Sequence, residues 1–220
     1  MFRTVSALLL GAALALPCYA QAPLEAEARV FELRTYTAAD GMLDALHARF
    51  REHAAAVFEK HGMTNIGYWV PASNDDNAVV FLLAYPSHAA RKSAWSAVAA
   101  DPEWLRVRTR TDGKGKLVEH IDELFLTPTA DCPVVRPTRG IAARTFELRA
   151  AGPDCSGTVL GRWTTANGEQ LELVAKDASA YSSLVPTGEI LLAPVGTDSG
   201  ATVKTPAVRA LVPTDYSPLR

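Results

Sequence analysis

The residues with chemistry to offer fall in two short, matching stretches. Residues 30–36, VFELRTY, alternate in character, so Glu32, Arg34 and Tyr36 share one face of a predicted strand while Phe31 and Leu33 share the other. Residues 143–149, ARTFELR, repeat the first two polar positions as Glu147 and Arg149. Carboxylates and guanidinium groups in such pairs can move protons or hold a charged ligand. They can equally form a structural charge network, because buried charges persist only when paired and structural pairs shift pKa values as readily as catalytic ones. The structural network is the plainer reading. Trp69 and Trp163 stand on corresponding second strands, with Tyr68 and Tyr85 near the first. Together they can line a pocket for a small apolar ligand, although core packing explains each one taken singly.

The other reactive side chains narrow the chemistry. His53 and His61 are eight residues apart on one predicted helix and His47 and His53 are six apart, so neither pair has the i, i+4 spacing of helical metal ligands. His120 shares a strand face with Asp122. The sequence contains no G-x-S-x-G, H-E-x-x-H, phosphate-binding loop or dinucleotide fingerprint. No metal and no cofactor is expected. Cys132 and Cys155 have no C-x-x-C spacing and no histidine nearby, so in an oxidising compartment they read as a structural disulfide.

That compartment is implied by the first residues. Arg3, the uncharged run Leu8–Leu16 and the small residues Ala20 and Ala22 form a secretory signal over residues 1–22, cleaved after Ala20 or Ala22. The apolar run is too short to span a bilayer, and no later segment is long and apolar enough. The expected location is periplasmic or secreted. Removal of the signal leaves about 198 residues with 21 basic and 24 acidic side chains. Such a balance, with scattered Lys and Arg, does not suggest nucleic acid or an anionic membrane as partner. With 48% apolar residues the chain can build a sizeable core.

The elements that must position these residues follow from periodicity. After the strand at 30–36, Asp40 can cap a helix carrying Leu43, Leu46, Phe50, Ala54, Val57 and Phe58 on one stripe, closed at His61-Gly62. Strands follow at 65–71 and 78–85, then a helix capped by Ser87 and running to Ala100, and a short helix restarted at Asp101-Pro102. TRTDGKGK reads as a loop, and a fourth strand covers 117–126. The order β-α-β-β-α-β is ferredoxin-like, and it leaves one sheet face bare, to be buried by something else.

The second half supplies a candidate. ARVFELR at 28–34 matches ARTFELR at 143–149, GYW at 67–69 matches GRW at 161–163, and LTPTADCP at 126–133 matches LVPTDYSP at 211–218. Matches kept in the same order indicate an internal repeat. The second copy, 143–220, lacks the helices and reads as mostly β, with strands near 144–150, 158–164, 170–176, 189–194 and 203–212 and an Asn167-Gly168 hairpin turn. The first copy occupies 28–130, and PVVRPTRG at 133–140 links the two.

FELRTY, Gly41, the helix ending in FEKHGM, NIGYW, LAYPS, AWSAVAADPEW and FLTPT together resemble the NIPSNAP family over residues 29–130. The resemblance implies an α+β fold in which two ferredoxin-like sheets pack face to face as a dimeric α+β barrel. It brings no catalytic motif. The barrel closes either in a homodimer or within one chain as a pseudo-dimer; the retained strands of the second copy favour closure within the chain. If the charged strand faces point inward, the lumen holds Glu32, Arg34, Tyr36, Trp69, His120, Glu147 and Arg149 as a candidate ligand site. The leading expectation is a small-molecule binding or protein-interaction module. The alternative, by analogy of fold alone, is a cofactor-independent oxygenase or isomerase working in the lumen.

Overall fold

The computed structural model describes residues 29–113, 115–133, 144–153, 156–177 and 208–218. The expected signal segment, Cys155, the expected linker beyond Pro133 and the strand expected at 189–194 lie outside the described residues. Eight strands are described: β1 (Val30–Ala38), β2 (Thr64–Pro71), β3 (Ala78–Tyr85), β4 (Val118–Pro128), β5 (Arg144–Ala150), β6 (Thr158–Thr165), β7 (Gln170–Asp177) and β8 (Val208–Pro213). They close a barrel in the order β1-β3-β2-β8-β5-β7-β6-β4, with every pairing antiparallel. The molecule is an α+β barrel closed within one chain.

The strand order is two-fold. Moving four places round the barrel carries β1, β2, β3 and β4 onto β5, β6, β7 and β8, and the seams carry the matching sequences. Where β2 meets β8, Trp69 lies opposite Pro213; where β6 meets β4, Trp163 lies opposite Pro128. Each half also shifts register at the same place, between Asn65 and Gly67 against β3 and between Val159 and Gly161 against β7. These bulges set a glycine two residues before each tryptophan. A Cβ on Gly67 would lie 2.3 Å from the Trp69 ring, and one on Gly161 would lie 2.1 Å from the Trp163 ring. The G-x-W spacing shared by the two halves therefore has a packing cause: only a bare backbone lets the indole fold down against its own strand.

The barrel interior holds Phe31, Leu33, Ile66, Trp69, Val80, Leu82, Leu126, Phe146, Leu148, Trp163, Leu171, Leu173 and Leu211 as one buried cluster. Outside the first half lies a second layer, formed by α1 (Leu43–Arg49), a π-helical turn (Phe50–Ala54), α2 (Ala55–Lys60), α3 (His88–Ala100) and α4 (Pro102–Asp112). Leu46, Phe50, Val57, Phe58, Ala94 and Val98 from the helices pack there on Tyr68, Val79, Phe81, Leu83 and Tyr85. The sheet of the first half is thus covered on both sides, which is why β3 is buried at every position.

Several boundaries differ from the sequence reading. Asp40 does not cap the first helix: residues 40–41 form a turn with Gly41 at φ +70°, and Met42 takes the cap position without a side-chain bond. Ser87 does cap α3, accepting from the Ala90 N–H at 3.1 Å. The helix begun at Asp101-Pro102 runs on through Asp112, so Arg106, Arg108 and Arg110 are helical and the first half of the expected loop, residues 109–112, is helix. Asp101 caps it from both Glu103 and Trp104, and the hydroxyls of Thr109 and Thr111 turn back onto Leu105 and Val107 carbonyls instead of competing with the helix.

The segments after β4 and β8 lock the halves together in the same way. Thr129 N–H donates to the Arg162 carbonyl at 3.1 Å, and Thr214 N–H donates to the Tyr68 carbonyl at 3.0 Å. Arg162 N–H in turn donates to Cys132 Sγ at 3.2 Å, and Tyr68 N–H donates to Ser217 Oγ at 2.9 Å. The C-terminal segment also sets Tyr216 against Phe50 and Tyr68, with its hydroxyl 2.8 Å from His47 Nδ1, and pairs Asp215 with Arg51.

The expected Cys132–Cys155 disulfide is not shown, because Cys155 lies outside the described residues. Among the described residues Cys132 is a free thiol, and its sulfur is turned to a backbone N–H, in the role that Ser217 plays in the other half. Cys132→Ser is accordingly expected to change stability by no more than about 0.5 kcal/mol, the range of an ordinary tolerated substitution. Loss of a native disulfide would cost about 2–5 kcal/mol. Urea unfolding of the two proteins under non-reducing conditions separates the outcomes.

Candidate functional site

The residues expected together in the lumen are not brought together. Phe31 and Leu33 point into the barrel, which turns Glu32, Arg34 and Tyr36 outward beneath the helices. Glu147 and Arg149 are outward on the other half, because Phe146 and Leu148 occupy the interior. Trp69 is inside, as expected for a lumen residue, but it belongs to the packed core. His120 is exposed near one end of β4, 3.0 Å from Asp122. The physical reason is that this interior is filled with apolar side chains from both halves, where an unneutralised charge would be costly to desolvate.

The outward faces of the two halves solve the same problem with different residues. Glu147 pairs with Arg149 at 3.5 Å and Lys176 at 2.9 Å, while Glu172 pairs with Arg149 at 3.4 Å and Arg162 at 2.7 Å. By register and repeat, Glu172, Lys176 and Arg162 stand where the first half has Phe81, Tyr85 and Tyr68. An aromatic face that packs on helices is thus replaced by an ionic one. Glu147 and Arg149 read here as a structural network.

The first half builds a more unusual cluster around Glu32, whose side chain is fully buried. Its carboxylate accepts from Arg34 at 2.6 Å, from Arg91 at 2.7 and 3.2 Å, from the Tyr85 hydroxyl at 2.7 Å and from Trp95 Nε1 at 3.0 Å. Burial alone would raise its pKa; the Arg91 hydrogen bonds, the Arg34 charge, and the Tyr85 and Trp95 donors outweigh this and bring it down to about 2. A carboxylate so saturated is no proton carrier near neutral pH. Beside it, Arg34 and Arg91 share Glu123 of β4, at 2.7 and 3.1 Å. The Arg34 guanidinium lies 4.4 Å from the Trp95 ring centre and that of Arg91 lies 4.8 Å from that of Phe125.

This cluster opens to solvent at the margin between α3 and β4. There Ile121 is 42% exposed, the Glu123 side chain is 38% exposed, and Tyr36, Arg91, Trp95 and Phe125 are half-buried. Tyr36 stands opposite Ile121, Arg34 opposite Glu123 and Glu32 opposite Phe125 in the β1–β4 register. The margin therefore joins two guanidinium groups to an apolar and aromatic surround.

Residues 31–133, which contain this entire cluster, match the family model NIPSNAP. The chain carries a NIPSNAP domain. Among solved structures, an uncharacterised NIPSNAP domain protein from Burkholderia xenovorans is 28% identical, with 47% of this chain and 98% of that one covered and a TM-score of 0.42. A NIPSNAP family protein from Agrobacterium tumefaciens is 24% identical, with 48% and 98% covered and a TM-score of 0.44. A Lactobacillus acidophilus protein described as a candidate monooxygenase is 12% identical, with 84% and 94% covered and a TM-score of 0.45. No curated protein matches.

Within the NIPSNAP domain, sequence reading found Glu32, Arg34 and Tyr36 but missed Arg91, Glu123, Ile121 and Phe125 as their companions. Arg91 and Trp95 stand at i, i+4 on a helix and so share a face, a signal visible in the sequence. Glu123 had no comparable signal, because its place beside Arg34 depends on strand register. Among the described residues no helix is long and apolar enough to cross a membrane.

Proposed function

We propose that this is an exported NIPSNAP-domain protein that binds a small apolar molecule at the margin between α3 and β4, outside the barrel. The observation that carries this reading is the exposed Ile121, which stands opposite half-buried Tyr36 and two residues along β4 from Glu123, the acid that the Arg34 and Arg91 guanidinium groups share. Fixed polar groups within an apolar surround are the composition of a ligand site. The oxygenase or isomerase reading placed acid–base groups in the lumen; Glu32, Arg34, Glu147 and Arg149 instead face outward, so these four are not lumen groups. Export rests on the N-terminal signal pattern and is tested by N-terminal sequencing of protein recovered from the periplasm and medium. Recovery only of intact chain beginning at Met1, in the cytoplasm, would refute it.

Binding is tested with the uncharged dye Nile red, whose emission rises on apolar contact. The mature protein is expected to bind it, and Ile121→Asp is expected to weaken that binding about tenfold, because an ionised carboxylate in the contact must be desolvated. Ile121 is exposed, so the substitution leaves folding intact. Equal dye binding by the two proteins would remove the margin as the site.

A further inference from the structure

We infer that the ligand of this margin carries a carboxylate, and that Glu123 supplies the second negative charge beside Arg34 and Arg91 until the ligand arrives. The inference rests on the margin being the binding site, and it follows from the unequal standing of the two acids that neutralise Arg34 and Arg91. Glu32 is fully buried and receives five hydrogen bonds from four side chains, so it is a fixed part of the domain. Among the described residues Glu123 pairs with the two arginines, sits on an uncovered part of β4 and is 38% exposed. Two cations thus face one permanent anion and one removable anion. If Glu123 swings into water, a net positive charge remains at the foot of an apolar surround.

The donor geometry points the same way. Arg34 uses Nη1 for both Glu32 and Glu123. Among the described residues its Nη2 has only a 3.4 Å contact with the Tyr36 hydroxyl, and its buried Nε has no acceptor. Nε and Nη2 form the side-on edge of a guanidinium, the edge that binds a carboxylate through two parallel hydrogen bonds. A buried N–H without an acceptor is uncommon in a folded protein. A ligand carboxylate reaching this edge as Glu123 swings away would satisfy it, while the ligand's apolar body rests on Ile121 and Tyr36. The chemical class is therefore a monocarboxylic acid with an aromatic or aliphatic body.

Phenylacetate and its neutral isostere phenylacetamide serve as probes, with binding followed by calorimetry and by shifts of the Trp95 indole N–H resonance. Phenylacetate is expected to bind better than phenylacetamide and to weaken with added salt. Glu123→Gln removes the competing charge and is expected to tighten phenylacetate about tenfold; Arg91→Gln is expected to weaken it by a similar factor. The urea midpoint of Glu123→Gln should match the parent's, confirming that the change is one of binding. Equal affinity for the acid and the amide, or no effect of Glu123→Gln, overturns the carboxylate assignment. If Nile red still binds in an Ile121-dependent way, the margin itself stands as a site for neutral ligands; if neither probe binds there, both readings fall.

Discussion

Glu32→Ala is expected to lower folding stability by about 3–5 kcal/mol, the cost of breaking a buried ion pair from one side. The effect is large because the carboxylate is shared. Its removal leaves Arg34 buried with only the half-exposed Glu123 as counter-charge, and it strips an acceptor from the Tyr85 hydroxyl, Trp95 Nε1 and Arg91. Urea unfolding followed by circular dichroism measures the loss; a change under about 1 kcal/mol would show that the Glu32 contacts to Arg91 and Trp95 of α3 do not hold that helix to β1. The same group sets a pH dependence. Its folded pKa lies near 2, against an ordinary value of 4.5. A depressed carboxylate stabilises the fold above its unfolded pKa, and that stabilisation is lost as pH falls through the folded value. Stability should therefore drop between about pH 4.5 and pH 2, and the Glu32→Ala protein should show a shallower drop across that window.

Gly161→Ala is the second substitution with a large expected effect. The new methyl would lie 2.1 Å from the Trp163 ring, and Trp163 is fully buried opposite Pro128 at the seam between the halves. Neither the strand backbone nor the core-bound indole can move freely, so overpacking should cost at least about 1–3 kcal/mol. The emission of the buried tryptophans should shift to the red as the ring is displaced. Combining Gly161→Ala with Trp163→Phe removes the six-membered indole ring from the clash. The pair should therefore lose less than the sum of the single changes, and strict additivity would refute the contact. Gly67→Ala against Trp69 is the matching case in the other half, at 2.3 Å.

The strands of the first half were legible because alternation and a central apolar run leave direct marks in sequence. The matched FELR, G-x-W and L-x-P segments fall at corresponding places in the strand order, and the structure gives two of them a reason. G-x-W marks a bulge with an indole folded onto it, and L-x-P places an inward leucine and a proline opposite the other half's tryptophan. Asp40 misled because a capping residue type says nothing about whether the backbone has already turned at Gly41. TRTD misled because threonine is a poor helix former in isolation, while here the Asp101 cap and the packing of Val107 hold α4 through Asp112.

The candidate site was legible only in part, and Glu32 shows why. By itself the sequence determined that Glu32, Arg34 and Tyr36 lie on one strand face and Phe31 and Leu33 on the other. It did not determine which face looks into the barrel, because a strand covered on both sides buries both faces and period two then carries no sign of inside or outside. Tertiary structure decided that. Closure by the second half brought Phe146, Leu148 and Trp163 onto Phe31 and Leu33, and the desolvation cost of charge left the acid and the arginine to the helix side. There the β1–β4 register and the seating of α3 set Glu123 and Arg91 beside Arg34, contacts between residues about 60 to 90 positions apart that no local pattern in the chain encodes.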